Sequence, residues 1–315
     1  MPLSRARIRR LGAWRAAVCS AVLVVLAWSG GPAAAATPAP TGSGARPNAA
    51  PARTTATAHY LALGDSLAAG YQPAHGRRAA GDDPQGGYVG IVASGLPALG
   101  MARLGDRVRV TNLGCTGETS ATMVGGGRCD YRGGSQLAAA RTFLRAHPET
   151  ALVTLTIGAN DVRKCLTGSD LSWRCTDDVL DALDIRLALV LATVRTHAPS
   201  ARVVVTDYYN PYLAARLTGR DGRRLAIASN IVHSRLNSVI RRQAADHGAR
   251  TARVAAAFDS QDITRIEAPG IGRVPRNVAR ICEWTWMCRV TDIHPDEQGY
   301  AIMGRAVLTR LSQKR

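Results

Sequence analysis

The chain lacks several patterns that mark common classes of protein. It has no internal repeat and no recognisable nucleic-acid-binding module, which disfavours repeat architectures and specific readers of DNA or RNA. It has no Gly-x-Ser-x-Gly motif, which disfavours the α/β-hydrolase fold with its nucleophile elbow. Its cysteines do not form two matching, closely spaced couples of the kind that bind zinc, so a metal centre is also disfavoured.

The N-terminal segment also lacks a run that spans a bilayer comfortably, because the apolar stretch at residues 16–28 is short. Five arginines precede this stretch and a Pro-Ala-Ala-Ala-Ala segment follows it, which is typical of a secretory signal peptide. We therefore expect a signal peptide at residues 1–36 and a secreted protein, with an uncleaved membrane anchor as the alternative. Residues 37–57 are rich in Pro, Ala, Thr and Gly and predict a flexible linker, so residues 58–315 remain for one folded domain.

Acidic residues are scarce relative to basic ones, and the formal net charge is +17. Five of these positive charges belong to residues 1–36, so the mature chain carries about +12. The arginines are scattered and do not form a nucleic-acid-binding patch. We expect no nucleic-acid partner and possible adsorption to anionic lipid or polymer surfaces.

Short apolar runs that end in Gly, Asn or Asp alternate with helical patterns along the chain. This alternation predicts an α/β fold in which a parallel sheet carries helices on both faces. Ligands bind such sheets at the carboxyl ends of the strands. The predicted strands are Tyr60–Leu63, Val108–Thr111, Leu152–Ile157, Val203–Thr206 and, more weakly, Thr251–Ala255.

The first predicted strand ends in Gly64-Asp65-Ser66, and the residues that follow can start a helix. A serine at this junction is close to backbone N–H groups and to the positive end of a helix dipole, which favour negative charge. An enzyme that attacks an ester and stabilises the resulting oxyanion needs such a serine. A helix N-cap is the alternative role for Ser66.

Three further segments occur downstream in a characteristic order: Asn112-Leu113-Gly114, Gly158-Ala159-Asn160-Asp161 and Asp292-Ile293-His294-Pro295. Together with Ser66 they resemble the four blocks of the SGNH (GDSL) hydrolases, and the resemblance covers about residues 58–312. It implies a flavodoxin-like three-layer α/β/α sandwich with a central parallel sheet of about five strands. It also implies a secreted, monomeric lipase or esterase that acts on small-molecule or lipid esters and needs no metal or cofactor.

The resemblance assigns a role to each block. Ser66 is expected to be the nucleophile, and His294 is expected to be the general base that activates it. The oxyanion hole would combine the N–H groups of Ser66 and Gly114 with the side-chain amide of Asn160. A turn glycine and an Asx turn are the alternative roles for the last two residues. The other six histidines are expected to lie in loops, at helix ends or on a polar helix face.

The residue that orients His294 departs from the family pattern. The orienting aspartate usually stands three residues before the histidine, but that position is Thr291 and the aspartate is Asp292. Asp292 is the expected third member of the triad. The alternative is a Ser-His dyad in which the Thr291 carbonyl holds the imidazole.

The six cysteines outside the signal region fall into three couples that are close in sequence, and each couple borders one of the proposed catalytic blocks. Fifteen pairings are possible in principle. We expect neighbours to pair, because short loops close most easily. The expected bridges are Cys115–Cys129, Cys165–Cys175 and Cys282–Cys288. Trp284 and Trp286, within the last loop, would either wall an acyl pocket or pack against the bridge.

The sequence thus predicts a secreted serine ester hydrolase that works through an acyl-enzyme. A carbohydrate (acetyl) esterase on the same fold is the first alternative. A secreted binding protein without catalytic activity is the second, and the presence of all four blocks argues against it.

Overall fold

The computed structural model of the chain describes residues 57–74, 81–101, 107–167 and 170–313. The signal peptide expected at 1–36 and nearly all of the linker expected at 37–57 lie outside these residues. Residues 53–315 form one compact unit. Within the described part of the chain, each helix is either too short or too polar to cross a bilayer.

A five-stranded parallel sheet forms the centre of the unit, with the strand order β2-β1-β3-β6-β7 when strands are numbered along the chain. All five predicted strands are present, and the ends of each differ from the prediction by a few residues. The strands are β1 (Thr57–Gly64), β2 (Arg107–Asn112), β3 (Leu152–Thr156), β6 (Arg202–Thr206) and β7 (Arg250–Ala252).

The strand order reverses at β1, which pairs with β2 on one side and with β3 on the other. In an open α/β sheet the crevice at such a switch point is the usual place for a ligand. The segments that follow β1 and β3 carry Ser66 and Asn160. The topology therefore brings two of the predicted blocks to this crevice.

Helices cover both faces of the sheet and produce the expected three layers. Helix α6 (Trp173–His197) packs against α4 (Gln136–Ala146) and α7 (Gly219–Asp246) on one face, and α2 (Gly87–Gly95) packs against α11 (Glu297–Ser312) on the other. The helices are α1 (Ser66–Ala69), α2 (Gly87–Gly95), α3 (Ser120–Gly125), α4 (Gln136–Ala146), α5 (Ala159–Arg163), α6 (Trp173–His197), α7 (Gly219–Asp246), α8 (Val254–Ala257), α9 (Arg276–Trp284), α10 (Met287–Val290) and α11 (Glu297–Ser312), with 3-10 helices at Pro97–Leu99 and Pro211–Thr218.

Two small antiparallel hairpins lie outside the main sheet, and the sequence analysis did not predict them. Their strands have two to four residues each, which is too short for a periodic pattern. They are formed by β4 (Leu166–Thr167) with β5 (Asp170–Leu171), and by β8 (Arg265–Ala268) with β9 (Gly272–Pro275).

Helix α11 begins directly after the Asp292–Pro295 segment and Asp296. Asp296 is the N-cap of α11, and its side chain accepts a hydrogen bond from the Gly299 N–H at 2.9 Å. Arg289 forms an ion pair with the same carboxylate. The start of α11 therefore anchors the C-terminal end of the loop that carries His294.

Candidate active site

Ser66 is the first residue of α1 and directly follows the carboxyl end of β1. The turn requires a glycine at position 64, where φ is +140° and a Cβ would lie 2.1 Å from the Thr156 carbonyl oxygen. Asp65 caps α1 by accepting a hydrogen bond from the Leu67 N–H at 3.0 Å. Ser66 is only 7% exposed, so its hydroxyl lies in a recess at the edge of the sheet.

A continuous chain of hydrogen bonds joins Asp292, His294 and Ser66. The Nδ1 atom of His294 lies 2.7 Å from Oδ1 of Asp292, and its Nε2 atom lies 2.8 Å from the Ser66 hydroxyl. Partial burial would raise the pKa of Asp292, but the hydrogen bonds from the ring and backbone N–H of His294 lower it below its ordinary value. An ionised carboxylate only accepts, so Nδ1 carries the proton and Nε2 accepts the hydrogen bond from Ser66.

The conformation of Thr291 explains how an aspartate two residues before the histidine reaches the ring. Thr291 has φ +56° and ψ +36°, a left-handed conformation that ends α10 and turns the chain. Oδ1 of Asp292 then accepts the His294 backbone N–H at 2.9 Å as well as the ring N–H. The Asp292 carboxylate, which is the predicted partner of Nδ1, therefore bonds to the imidazole ring.

Aromatic and amide side chains hold the histidine loop against the sheet. The hydroxyl of Tyr209 donates to the Ile293 carbonyl at 2.7 Å, and the Gln72 amide donates to the Pro295 carbonyl at 3.0 Å. The ring of Tyr71 lies beside the imidazole, with 4.5 Å between the ring centroids. The sequence analysis missed these supporting residues because they are distant from His294 along the chain.

Asp65 does more than cap a helix. Its second carboxylate oxygen accepts a hydrogen bond of 2.6 Å from the Tyr208 hydroxyl, which comes from the segment after β6. Burial raises the pKa of Asp65 to about 6, and the bonds from Tyr208 and Leu67 oppose that rise. The carboxyl group thus ties the nucleophile turn to a neighbouring loop.

Asn160 lies on α5, directly after β3, and its amide donates a hydrogen bond to the Glu118 carbonyl at 2.9 Å. The next residue, Asp161, is buried and accepts two hydrogen bonds from Ser120, one from its N–H at 2.8 Å and one from its hydroxyl at 2.5 Å. These bonds fix the orientation of α5. One amide hydrogen of Asn160 remains for a ligand, since the group has two donors.

Gly114 packs directly against the backbone of α1. A Cβ at this position would lie 2.4 Å from the Ala69 nitrogen, so only glycine allows this approach. However, the Gly114 N–H donates to Oδ1 of Asn112 at 2.9 Å. The predicted oxyanion donor is therefore engaged by a neighbouring side chain in this structure.

The three disulfides expected from the sequence are all present: Cys115–Cys129, Cys165–Cys175 and Cys282–Cys288. Cys115 directly follows Gly114, Cys165 lies just beyond α5, and the third bridge joins α9 to α10 ahead of His294. The bridges thus fix the loops that border the site. Because all six cysteines are paired, they cannot serve as metal ligands.

A narrow cleft opens beside Ser66 and His294. Much of its wall is apolar, and one part of its wall carries polar side chains. The apolar lining residues are Leu67, Ala159, Val162, Leu166, Pro211 and Ile293, and the further polar ones include Arg163, Tyr212 and His233.

The two tryptophans considered as pocket walls are not among the residues that line this cleft. Trp284 packs edge-on against Phe258, with 5.4 Å between the ring centroids. The indole N–H of Trp286 donates to the Gln72 side chain at 2.7 Å. The suggestion that they wall an acyl pocket is therefore wrong for this cleft, because their side chains contact Phe258 and Gln72 instead.

His233 was also misjudged from the sequence, which suggested an ordinary residue on a polar helix face. It lies on the inner face of α7, is 6% exposed and lines the cleft. The burial of a polar residue such as His233 can be recognised only when the elements that pack against α7 are known.

His59, His147 and Glu149 bring three possible metal ligands together at the opposite end of β1. The two imidazole rings are stacked, with centroids 4.0 Å apart and planes 24° from parallel. One ring nitrogen of each histidine lies 3.5 Å from the same carboxylate oxygen of Glu149. Burial and the positive charge of His147 lower the pKa of His59, and the Glu149 carboxylate opposes this shift.

The sequence profile of the GDSL-like lipase/acylhydrolase family matches residues 62–302, a span that contains all four blocks. The chain belongs to this family. At the family level it is therefore an ester hydrolase. No curated protein sequence gives a significant match.

The chain is similar to solved structures of lipases. The extracellular lipase from Streptomyces rimosus is 22% identical with a TM-score of 0.50, and the match covers 81% of this chain and 100% of the lipase. The lipase Lip_vut3 from a goat rumen metagenome is 14% identical with a TM-score of 0.50, over 80% and 97% of the two chains. Phospholipase A1 from Streptomyces albidoflavus is 25% identical with a TM-score of 0.43, over 81% and 98%.

Proposed function

We propose that the chain is a secreted serine ester hydrolase that cleaves acyl esters through an acyl-enzyme on Ser66. The observation that carries this proposal is the hydrogen-bonded chain from Asp292 through His294 to Ser66 at the switch point of the sheet. Membership of the GDSL family supports the reaction class. Three disulfides support secretion, because such bridges persist mainly in oxidising compartments.

The first half of the reaction forms the acyl-enzyme. The Ser66 hydroxyl attacks the ester carbonyl carbon while Nε2 of His294 takes its proton. Asp292 keeps the second proton on Nδ1 and stabilises the transient imidazolium. Collapse of the tetrahedral intermediate breaks the bond to the alcohol oxygen, and His294 returns the proton to this leaving group.

The oxyanion of the intermediate would be held by three donors. The Ser66 N–H belongs to the first turn of α1, where N–H groups have no partner within the helix. The second amide hydrogen of Asn160 supplies a directed donor. The Gly114 N–H would transfer from Asn112 to the oxyanion, because a charged acceptor forms a stronger hydrogen bond than a neutral amide oxygen.

The second half releases the acid. Nε2 of His294 accepts a proton from water, and the resulting hydroxide attacks the acyl carbon. The same donors stabilise the second oxyanion. Its collapse breaks the acyl bond to Ser66, whose oxygen regains the proton from His294.

The test is hydrolysis of a panel of p-nitrophenyl acyl esters by the mature protein and by Ser66→Ala. We expect the substitution to lower kcat by a factor on the order of 10⁶, since the nucleophile and its base act as a unit. An organophosphonate should label Ser66 in the unmodified protein. Ser94→Ala removes an exposed hydroxyl that donates to the Gly90 carbonyl, and it serves as the matched control.

Two results would refute the assignment. One is an active Ser66→Ala variant with the wild-type fold, and the other is organophosphonate labelling at a different serine. Either result would leave Ser66 with the role of a turn residue.

A carbohydrate acetyl esterase is the second candidate. The observation that favours it is that polar side chains, among them Arg163, Tyr212 and His233, line the cleft together with apolar ones. A long-chain lipid ester would gain little from these groups. Comparison of acetylated sugars with p-nitrophenyl decanoate would separate the two candidates.

A further inference from the structure

His233 is a buried polar side chain that the proposed chemistry does not use. It lies on α7 and lines the same cleft as Ser66 and His294. The Nδ1 atom is 3.0 Å from the Ser229 carbonyl oxygen, one helical turn earlier. Within the described part of the chain, no other hydrogen bond reaches this imidazole. One ring nitrogen therefore remains for a ligand.

The hydrogen bond to Ser229 fixes the tautomer of the ring. A carbonyl oxygen can only accept, so Nδ1 must carry the proton. Burial lowers the pKa of His233 to about 4, although the Ser229 bond opposes the shift. The ring is therefore neutral at ordinary pH, and Nε2 presents a lone pair that accepts hydrogen bonds.

Two further polar residues, Tyr212 and Arg163, line the same cleft. The ring centroid of Tyr212 lies 6.3 Å from that of His233. Burial raises the pKa of Tyr212, and the nearby positive charge of Arg163, at the end of α5, limits this rise. The Tyr212 hydroxyl thus keeps its own proton, which it can donate to a ligand.

We propose that His233, Tyr212 and Arg163 form a subsite for a hydroxyl group of the ester substrate. The substrate hydroxyl donates to Nε2 of His233 and accepts from Tyr212 or Arg163. The inference rests on the proposed ester hydrolysis and names its substrate class as esters that carry a free hydroxyl close to the scissile bond.

The chemistry of Nε2 distinguishes a hydroxyl from the other groups that could fill the cleft. An alkyl chain would leave this acceptor without a partner, which disfavours binding. A carboxylate or phosphate could pair with Arg163, but an ionised group has no hydrogen to donate to His233. A hydroxyl both donates and accepts, so it satisfies both sides of the subsite.

The hydroxyl could belong to the alcohol or to the acyl part of the ester, and two pairs of substrates distinguish these sources. Monobutyrin and ethyl butyrate share the acyl chain but differ in free hydroxyls on the alcohol. Ethyl 3-hydroxybutyrate and ethyl butyrate differ by one hydroxyl on the acyl chain. The measured quantity is the kcat/KM ratio of the hydroxylated ester to the plain ester.

We expect His233→Phe to lower this ratio about 3- to 10-fold in one of the two pairs, the range for a single neutral hydrogen bond. Phenylalanine fills the space of the ring without an acceptor. His233→Gln should recover part of the ratio, because its amide oxygen can replace Nε2. His247→Phe is the matched control: this histidine also bonds the carbonyl one turn back on α7, but it does not line the cleft.

An unchanged ratio in both pairs for His233→Phe would overturn the subsite, as would an equal loss on all three esters with no recovery in His233→Gln. If His233→Phe fails to fold, the ring can be observed by ¹⁵N NMR in Ser66→Ala. Adding monobutyrin or ethyl 3-hydroxybutyrate should then shift the Nε2 resonance, and ethyl butyrate should not. Absence of that difference counts against the subsite, whereas a wild-type protein inactive on every ester would refute the proposed function itself.

Discussion

At the scale of single residues, the spacing between Asp292 and His294 is the feature that most needs a physical explanation. A carboxylate two residues from the imidazole reaches Nδ1 because Thr291 adopts a left-handed conformation before it. The same oxygen also accepts the His294 backbone N–H. The two bonds hold the imidazole in the tautomer that can accept a proton from Ser66.

Asp292→Asn should lower kcat by up to about 10⁴, because an amide at this position favours the wrong imidazole tautomer. Steady-state kinetics on a p-nitrophenyl ester would measure the loss. Asp177→Asn removes an exposed carboxylate that pairs with Arg235, and it controls for the change in charge. A loss of less than about tenfold would move the protein to a Ser-His dyad.

Asp65 gives a prediction about pH and stability. Its pKa rises from 3.8 to about 6 on folding, so the folded state favours the protonated form. Its contribution to stability is complete below about pH 4 and is lost as the pH rises through about 6. Asp65→Asn cannot ionise; its amide oxygen can still accept from Leu67, and its NH2 group can donate to the Tyr208 hydroxyl.

The free energy of unfolding of Asp65→Asn, relative to the wild type, should therefore increase by about 2–3 kcal/mol between pH 4 and pH 7. Urea denaturation at a series of pH values would measure it. Parallel pH profiles for the two proteins would contradict the raised pKa.

At the scale of secondary-structure elements, short helices carry the residues of the site, and side-chain hydrogen bonds and a disulfide stabilise them. Helices α1 and α5 have four and five residues, too few to be stable alone. Side chains from other elements fix them: Tyr208 bonds the cap of α1, and Ser120 bonds Asp161 on α5. The Cys165–Cys175 bridge then joins the segment after α5 to the first turn of α6.

Replacing both Cys165 and Cys175 by alanine should lower the free energy of unfolding by about 2–3 kcal/mol, the loop-entropy value for a bridge across ten residues. Urea denaturation under non-reducing conditions would measure the loss. The activity should fall at a lower temperature than in the wild type, because Asn160 lies just before this loop. No change in the denaturation midpoint would mean that packing alone holds the segment.

At the scale of the whole molecule, the net positive charge affects which surfaces the protein adsorbs to. The net charge is +17, or about +12 if the expected signal peptide is removed, and it attracts anionic surfaces over roughly one Debye length. Ser66 and His294 line a cleft with largely apolar walls. We propose that the charge governs adsorption and that the cleft governs turnover.

The mature protein should bind vesicles that contain phosphatidylglycerol and should bind phosphatidylcholine vesicles weakly. Raising the salt concentration from about 0.05 M to about 0.5 M should remove most of the binding, because screening weakens long-range attraction. Co-sedimentation with each vesicle type would measure it. Binding that does not depend on salt would instead indicate insertion of apolar residues.

The class of fold and the residues that meet at the carboxyl edge of the sheet could be predicted from the sequence. Five apolar runs with turn residues at their ends, such as Leu152–Ile157 before Gly158, define parallel strands because burial on both faces demands such runs. Parallel strands place their carboxyl ends at one edge, so Ser66 and Asn160 were expected at the same edge of the sheet, and the pairing of β1 with β3 brings them together. Close spacing along the chain was enough to predict the three disulfides.

The side chains that position Ser66, Asn160 and His294 become apparent only when separate segments pack together. The reach of Asp292 depends on the backbone conformation of Thr291, which the sequence does not specify. The bond between Asp65 and Tyr208, the engagement of Gly114 by Asn112 and the burial of His233 depend on distances between segments. Local patterns report how a residue relates to its neighbours in the chain, whereas these contacts arise when separate elements pack against one another.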